Sequence, residues 1–267
     1  MDPKTFNALR SLVYEKSGIS LGDNKKALVC SRIGKRIRQL GLDDFKDYLK
    51  YLNSDEKGRE VVELLDVIST NVTNFFREPK HFEVLSSLLK KWAGAGQRRF
   101  RIWCAASSTG EEPYTIAMTV REALNDVSDT KILATDISTQ VLEKAVKGVY
   151  EERHVEKIPG YLLSRYFKKI RRGDSEGLYE ASQSLKQMLT FRRLNLNVTP
   201  YPLKGPLDVV FIRNVMIYFD NQVRAKVLKD MYRLLKPGGY LMVGHSESLT
   251  GLVSEFKSVM PSVYIKQ

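Results

Sequence analysis

Residues 101–114, Arg101-Ile-Trp-Cys-Ala-Ala-Ser-Ser-Thr-Gly-Glu-Glu-Pro-Tyr114, decide the fold. The apolar run Phe100 to Ala106 breaks into small residues and Gly110. Two carboxylates and Pro113 follow, and then an apolar helical pattern, Tyr114-Thr-Ile-Ala-Met-Thr-Val120. This predicts a strand, a tight loop and a helix, with the small residues at the strand's carboxyl end, where open α/β sheets hold nucleotide-like ligands. A second apolar run, Lys131 to Asp136, ends on an acid. Asp136 lies about 26 residues beyond Gly110, near the ~20 expected of an acid that holds a ribose. Together the two segments predict an adenosine pocket.

The loop is not a dinucleotide fingerprint. A pyrophosphate needs Gly-x-Gly-x-x-Gly, so that backbone N–H groups can crowd the phosphates. Here a single glycine stands among Ala105, Ala106, Ser107, Ser108 and Thr109, and two glutamates guard the helix entrance. Carboxylates there repel a pyrophosphate and suit a cationic ligand such as S-adenosylmethionine, with its sulfonium and ammonium. Taken alone, Glu111 and Glu112 would do no more than complement the helix dipole, with Pro113 at a favoured early position. Their combination with Asp136 points to the cofactor.

Outward from this core, the pattern from Phe100 onward alternates strands and helices. Strands are expected at 100–105, 131–136, 189–194, 207–212, 240–244 and 262–266, and helices at 112–124, 138–146 and 221–235. A Lys236-Pro-Gly-Gly239 turn is expected to precede the strand Tyr240 to His245. This back half resembles the sheet of a class I methyltransferase, a Rossmann-like α/β fold whose last strand inserts antiparallel. Segment 150–188 does not fit a simple crossover. Gly173-Asp174 and Glu176-Gly177 punctuate two short runs there, predicting a small β insertion at about 160–190.

Residues 1 to about 90 show helical periodicity and no β alternation. Phe6, Leu9, Leu12 and Val13 repeat until Gly18. The next run, Lys25 to Leu40, is expected to bury Ala27, Leu28, Ile33, Ile37 and Leu40. Its other face carries Lys25, Lys26, Arg32, Lys35, Arg36 and Arg38 without an acid. The expected organisation is an all-helical domain over 1–70, a linker segment over 71–90, and an α/β domain over 91–267. The chain of 267 residues is 43% hydrophobic, ample for a core, with a net charge of +12 that calls for an acidic partner. The polar, amphipathic start predicts no signal peptide, and no apolar run approaches the ~20 residues of a membrane span. Cys30 and Cys104 lie far apart without metal-ligand spacing, as expected of reduced thiols in a cytoplasmic protein.

Four motifs now converge: Ser69-Thr-Asn-Val-Thr-Asn-Phe-Phe-Arg-Glu78, Ala105 to Tyr114, Phe211-Ile-Arg-Asn-Val-Met-Ile-Tyr-Phe219 and Gly244-His-Ser-Glu247. The chain resembles the CheR family of chemotaxis receptor glutamate methyltransferases from its first helices to its last strand. The resemblance implies S-adenosylmethionine as cofactor. It implies cofactor contacts at Asn71, Thr73, Arg77, Glu111, Asp136, Asn195, Leu196, Arg213 and Asn214, with Tyr218 following near the methyl donor. It also implies a monomer that acts on the acidic helical bundles of receptors, against which the basic face Lys25 to Arg38 is expected to dock.

The implied reaction esterifies a glutamate side chain. A carboxylate is already an anion, so no base is required, and His245 is expected to be structural. Tyr218 and Arg77 are assigned to orient the incoming carboxylate. A nucleic-acid substrate is not expected, because Arg213 to Tyr218 stands where base N-methylating enzymes carry Asn/Asp-Pro-Pro-Tyr/Phe. The insertion reads KKIRRGDSEGLYEAS, without the Gly-x-Gly turn associated with binding a receptor's C-terminal tether, so tether-independent docking is expected.

Overall fold

The computed structural model describes the chain except residues 70, 173, 174, 250, 253 and 254, together with the side chains of Asn24, Arg172, Ser175 and Glu176. The expected Gly173-Asp174 turn and the boundary at residue 70 therefore lie outside the described residues.

Four helices come first: α1 (Pro3–Ser17), α2 (Lys26–Leu40), α3 (Phe45–Ser54) and α4 (Arg59–Ile68). Local chemistry sets their ends. Asp2 caps α1 by accepting the Thr5 N–H at 3.0 Å, and Gly18 closes it in the left-handed conformation. Phe6, Leu9, Val13, Val29, Ile33, Ile37, Tyr48, Leu52, Leu64 and Ile68 form their shared core. On α2 the buried stripe is Val29, Ile33 and Ile37, whereas Ala27 and Leu28 are exposed, Leu28 by 46%. The four-residue spacing from Val29 defines the face, which turns Leu28 away towards the second domain.

A helix α5 (Lys80–Gly94) then leads into β1 (Phe100–Ala105), α6 (Glu111–Ala123), β2 (Thr130–Asp136) and α7 (Thr139–Lys147). After these come β3 (Val149–Glu151), α8 (Glu152–Val155), α9 (Gly160–Tyr166), β4 (Phe167–Arg172), β5 (Ser175–Ala181) and α10 (Gln183–Lys186). The chain ends with β6 (Leu189–Arg193), β7 (Leu207–Ile212), α11 (Asn221–Leu234), β8 (Leu235–Val243), β9 (Lys257–Met260) and β10 (Val263–Ile265). The large sheet has the order β6-β2-β1-β7-β8-β10-β9. Strands β6, β2, β1, β7 and β8 run parallel, and β10 inserts antiparallel between β8 and β9. This is the class I methyltransferase arrangement expected from the patterning. Side chains of β1 alternate between two cores: Phe100, Ile102 and Cys104 face one layer, and Trp103 and Ala105 the other.

Several boundaries differ from expectation. Residues Lys236 to Gly239 do not form a turn ahead of β8 but bulge within it, between the pairings Leu207↔Leu235 and Val209↔Tyr240. Gly238 takes φ +73°, and a Cβ on Gly239 would meet Lys236 O at 2.9 Å, so the bulge requires both glycines. The small sheet, β3-β5-β4, recruits Val149–Glu151 from upstream of residue 160. Helix α5 runs across residue 90, and Phe82, Leu85 and Leu89 are buried in the core of the large sheet.

The helical domain sits over the carboxyl ends of the parallel strands. Ile19 bridges Phe219, the Ser20 N–H donates to Tyr218 O at 2.8 Å, and the Tyr14 hydroxyl donates to Asp220 at 2.5 Å. Asp66 accepts both the Thr139 N–H and hydroxyl at the start of α7.

Candidate active site

Strand order reverses between β1 and β7, and the loops leaving them open a crevice at the carboxyl edge. The helical domain roofs this crevice into a cavity of about 280 Å³. Asn71, Thr73, Arg77, Asp136, Asn195, Leu196, Arg213, Asn214 and Tyr218 all line it. Nine of the expected residues, from four separate segments, are thus brought to one place.

Asp136 ends β2 and is 7% exposed. Its Oδ2 accepts the Ser108 N–H at 2.8 Å and its Oδ1 the Ser138 N–H at 3.0 Å. Burial pushes its carboxyl up, and these backbone donors partly offset that. A carboxylate has about four acceptor positions, so two remain for hydroxyl groups. The loop that presents Ser108 is tightly bent, with Ala106 at φ 69° and Ser108 at φ 48°. Gly110 follows at φ +101°, where a Cβ would meet the Tyr150 hydroxyl at 2.7 Å. The Ser108 hydroxyl reaches across the domain junction to Asn71 O at 3.0 Å.

The structure separates the two glutamates. Glu111 is buried off the cavity, where its carboxylate accepts from the Thr109 hydroxyl at 2.6 Å. Glu112 lines the cavity instead. Neighbouring positions on a helix point about 100° apart, so the two carboxylates meet different surroundings. Glu112 accepts from Arg213 Nη1 at 2.7 Å and from the Cys104 thiol at 3.2 Å. Arg213 Nη2 donates to Arg77 O and to Glu78 Oε2, the latter at 3.0 Å. This guanidinium therefore ties α6, the interdomain segment and the end of β7 together. Burial pushes the Glu78 carboxyl up, but Arg213 outweighs it and holds the group below its usual range.

Arg77 contrasts with Arg213. Its guanidinium donates to Val72 O at 3.1 Å and has no carboxylate partner among the described residues. Tyr218 closes a short 3-10 turn, Met216–Tyr218, and its ring lies beneath Lys25 Nζ at 4.7 Å. Asn195 is held by donating to Lys16 O at 2.5 Å and accepting the Asn197 N–H at 3.0 Å.

The basic face of α2 divides into residues committed to the fold and residues that are not. Arg32 donates to Ile68 O at 2.7 Å and Ser69 O at 3.0 Å, capping α4. Arg36 forms a bidentate pair with the buried Glu60 and approaches Glu63 at 3.5 Å. Lys26 lies over the Phe6 ring at 5.7 Å, and Lys25 and Arg32 line the cavity. Lys35 and Arg38 are exposed and lack an ion-pair partner among the described residues. Sequence reasoning also missed Glu247, whose buried carboxylate accepts the Asn214 N–H at 2.6 Å, the Gly244 N–H at 2.8 Å and the Ile217 N–H at 3.2 Å. It locks the loop after β7 to the loop after β8. Its Gly-His-Ser-Glu motif was visible, but its role was not.

A buried acid with spare acceptors, a second carboxylate on the cavity wall and a roof of apolar side chains fit an adenosine that carries a cationic arm. The family described as "CheR methyltransferase, SAM binding domain" matches residues 71–265, and "CheR methyltransferase, all-alpha domain" matches residues 4–69. The chain is 40% identical over 260 residues to a chemotaxis protein methyltransferase of Salmonella typhimurium, covering 97% of this chain and 88% of that one. It is 40% identical over 260 residues to the Escherichia coli protein of the same description, covering 97% and 89%. A Borreliella burgdorferi relative, again a chemotaxis protein methyltransferase, is 38% identical over 269 residues, covering 98% and 93%.

Proposed function

The chain belongs to the CheR methyltransferase family, and we propose that it methylates glutamate side chains of chemotaxis receptors, forming γ-methyl esters without needing a receptor tether. S-adenosylmethionine is its cofactor and supplies the electrophilic methyl group. The chain's own residues must align a carboxylate oxygen with that group and strip water from it. Positioning of this kind is worth up to ~7–11 kcal/mol. The observation that carries the reading is Arg77, a cavity-lining guanidinium without a carboxylate partner among the described residues. It can orient an incoming carboxylate, whereas Arg213 is already neutralised by Glu78 and Glu112. Opposite charges cancel as the methyl moves, so a rigid, permanent ion pair with substrate would favour the ground state. A phenol hydrogen bond, with a guanidinium that orients the carboxylate without a tight bidentate pair, keeps this penalty small. No group has to remove a proton.

The test is calorimetry with S-adenosylhomocysteine, paired with methyl transfer to receptor-containing membranes. Cofactor binding without receptor esterification would overturn the substrate assignment. Tyr218→Phe removes only the hydroxyl. We expect kcat to fall about ten-fold or more, the worth of one hydrogen bond to a charged group, with S-adenosylhomocysteine affinity within about two-fold of wild type. Preserved kcat with weakened cofactor binding would make Tyr218 a cofactor ligand instead.

For receptor docking, α2 offers one continuous stripe. Leu28 and Arg32 line the cavity, and Lys35 and Arg38 continue the same face at helical spacing, away from it. An acidic helix lying along this stripe would present its side chains to the cavity. Lys35→Glu combined with Arg38→Glu is expected to raise KM for receptor several-fold and leave S-adenosylhomocysteine affinity unchanged. Wild-type receptor methylation should also weaken as salt shortens the screening length from about 8 Å. Unchanged KM in the double variant would move docking elsewhere, with the basic β4 strand the next surface to test. Tether independence rests on the β4–β5 sequence, which lacks a Gly-x-Gly turn.

A further inference from the structure

The chain has three histidines, and two of them, His81 and His245, meet at a ring-centroid distance of 5.3 Å beside the Glu78 carboxylate. We propose that Glu78, His81 and His245 form a binding site for a divalent transition-metal ion of the zinc class, at the junction of the interdomain segment and the loop after β8.

His81 is the first observation. It is 1% exposed, and neither ring nitrogen has a hydrogen-bond partner. A buried polar group without a partner is costly and rare in native structures. The nearest acceptor to Nδ1 is Glu78 Oε2 at 3.5 Å, too long for a good hydrogen bond. Burial and the charge of Arg213 push its pKa down to about 4, so the ring is neutral near physiological pH. A neutral imidazole carries a free lone pair on one ring nitrogen and an N–H on the other, so the buried His81 ring has one nitrogen to offer a cation.

Geometry is the second. One ligand atom from each residue can be chosen so that all lie within 4.8 Å of one another. Zinc–nitrogen and zinc–oxygen bonds of about 2.0–2.2 Å imply tetrahedral edges of about 3.3–3.5 Å. The His81–Glu78 separation of 3.5 Å already meets this, and the His245 Nε2–Glu78 Oε2 separation is 4.0 Å. Only His245 has to move, and its side chain is 57% exposed. Glu78, at φ 55°, stands two residues ahead of α5 and His81 in its first turn, and His245 follows Gly244 in the loop after β8.

Charge supports a cation despite the adjacent guanidinium. Arg213 donates to Glu78 Oε2, yet its charge is shared with Glu112. One guanidinium thus stands between two carboxylates. A carboxylate oxygen can accept from Arg213 and still coordinate an ion, and such a donor is a usual orienting partner for a metal-bound carboxylate. Two imidazoles and one carboxylate select zinc-class ions over calcium or magnesium, which take oxygen-rich sites. The fourth position falls to water. An ion here would clasp the start of α5 to the loop after β8, independently of cofactor or receptor.

The experiment is titration of Zn2+ into the metal-stripped protein near neutral pH, with no cofactor present. We expect one ion per chain and a rise in Tm with Zn2+ concentration. His245→Gln, a change on the surface, should weaken affinity at least ten-fold, and His154→Gln should leave it unchanged. Co2+ in place of zinc should give d–d bands with no thiolate charge-transfer band. Absence of one-to-one binding, unaltered affinity in His245→Gln, or a thiolate band implicating Cys30 would each overturn the proposal.

Discussion

Asp136→Ala is expected to lower S-adenosylhomocysteine affinity by at least about 100-fold. Two hydrogen bonds from ribose hydroxyls to a charged acceptor contribute roughly 1.5–3 kcal/mol each, and each 1.4 kcal/mol is about ten-fold. The carboxylate is well placed for this double duty. It uses one acceptor position on each oxygen for Ser108 and Ser138 N–H groups, and the residue lines the cavity. Alanine removes those anchors as well, and Ser108, at φ 48°, loses the contact that holds its left-handed backbone. Asp136→Asn separates the two effects. It keeps one oxygen and the side-chain shape, so its loss should be smaller than that of alanine. Calorimetry on both folded variants decides the matter: unchanged affinity in Asp136→Ala removes Asp136 from the ribose site.

The central strands were legible because they are buried on both faces and so read as continuous apolar runs. Phe100–Ala105 and Leu207–Ile212 are of this kind. The edge strand Lys257–Met260 is mostly exposed and carries no such run, so the sequence offers no signal for it. Strand Val149–Glu151 is three residues long, and the bulge at Lys236–Gly239 uses the same Pro-Gly-Gly chemistry as a turn. At the site, strand-end residues were legible because parallel topology gathers carboxyl ends. Which of two adjacent glutamates faces the cavity depends on helix phase, which the motif does not carry. The basic face of α2 looked uncompensated because the partner of Arg36, Glu60, comes from another helix. For the same reason nothing in the chain announces His81 beside His245, which the closing of the sheet brings together.

Arg213→Met is expected to cost about 3–5 kcal/mol of folding stability, the range for breaking a buried ion pair from one side. The Arg213 side chain is 0% exposed and serves Glu112 on α6 and Glu78 in the interdomain segment, with its guanidinium 5.4 Å from the Phe82 ring centroid. Methionine fills much of the same space against Phe82, so the packing loss is small and the electrostatic loss dominates. Both carboxylates are then left without their cation. Burial already raises the Glu112 carboxyl more than Arg213 lowers it; without Arg213 it rises further, and the Glu78 carboxyl, now held below its usual range, is left to the burial that pushes it up. A carboxyl whose folded-state pKa exceeds its unfolded value contributes stability below the unfolded pKa and loses it as pH rises through the folded one. The deficit of Arg213→Met should therefore be largest at neutral pH and shrink on mild acidification. Adding Glu112→Gln should recover part of it by removing one stranded charge. Urea denaturation of the wild type and both variants, at neutral and mildly acidic pH, tests the assignment. Equal midpoints for wild type and Arg213→Met at neutral pH would mean that the guanidinium is not what binds the three elements together.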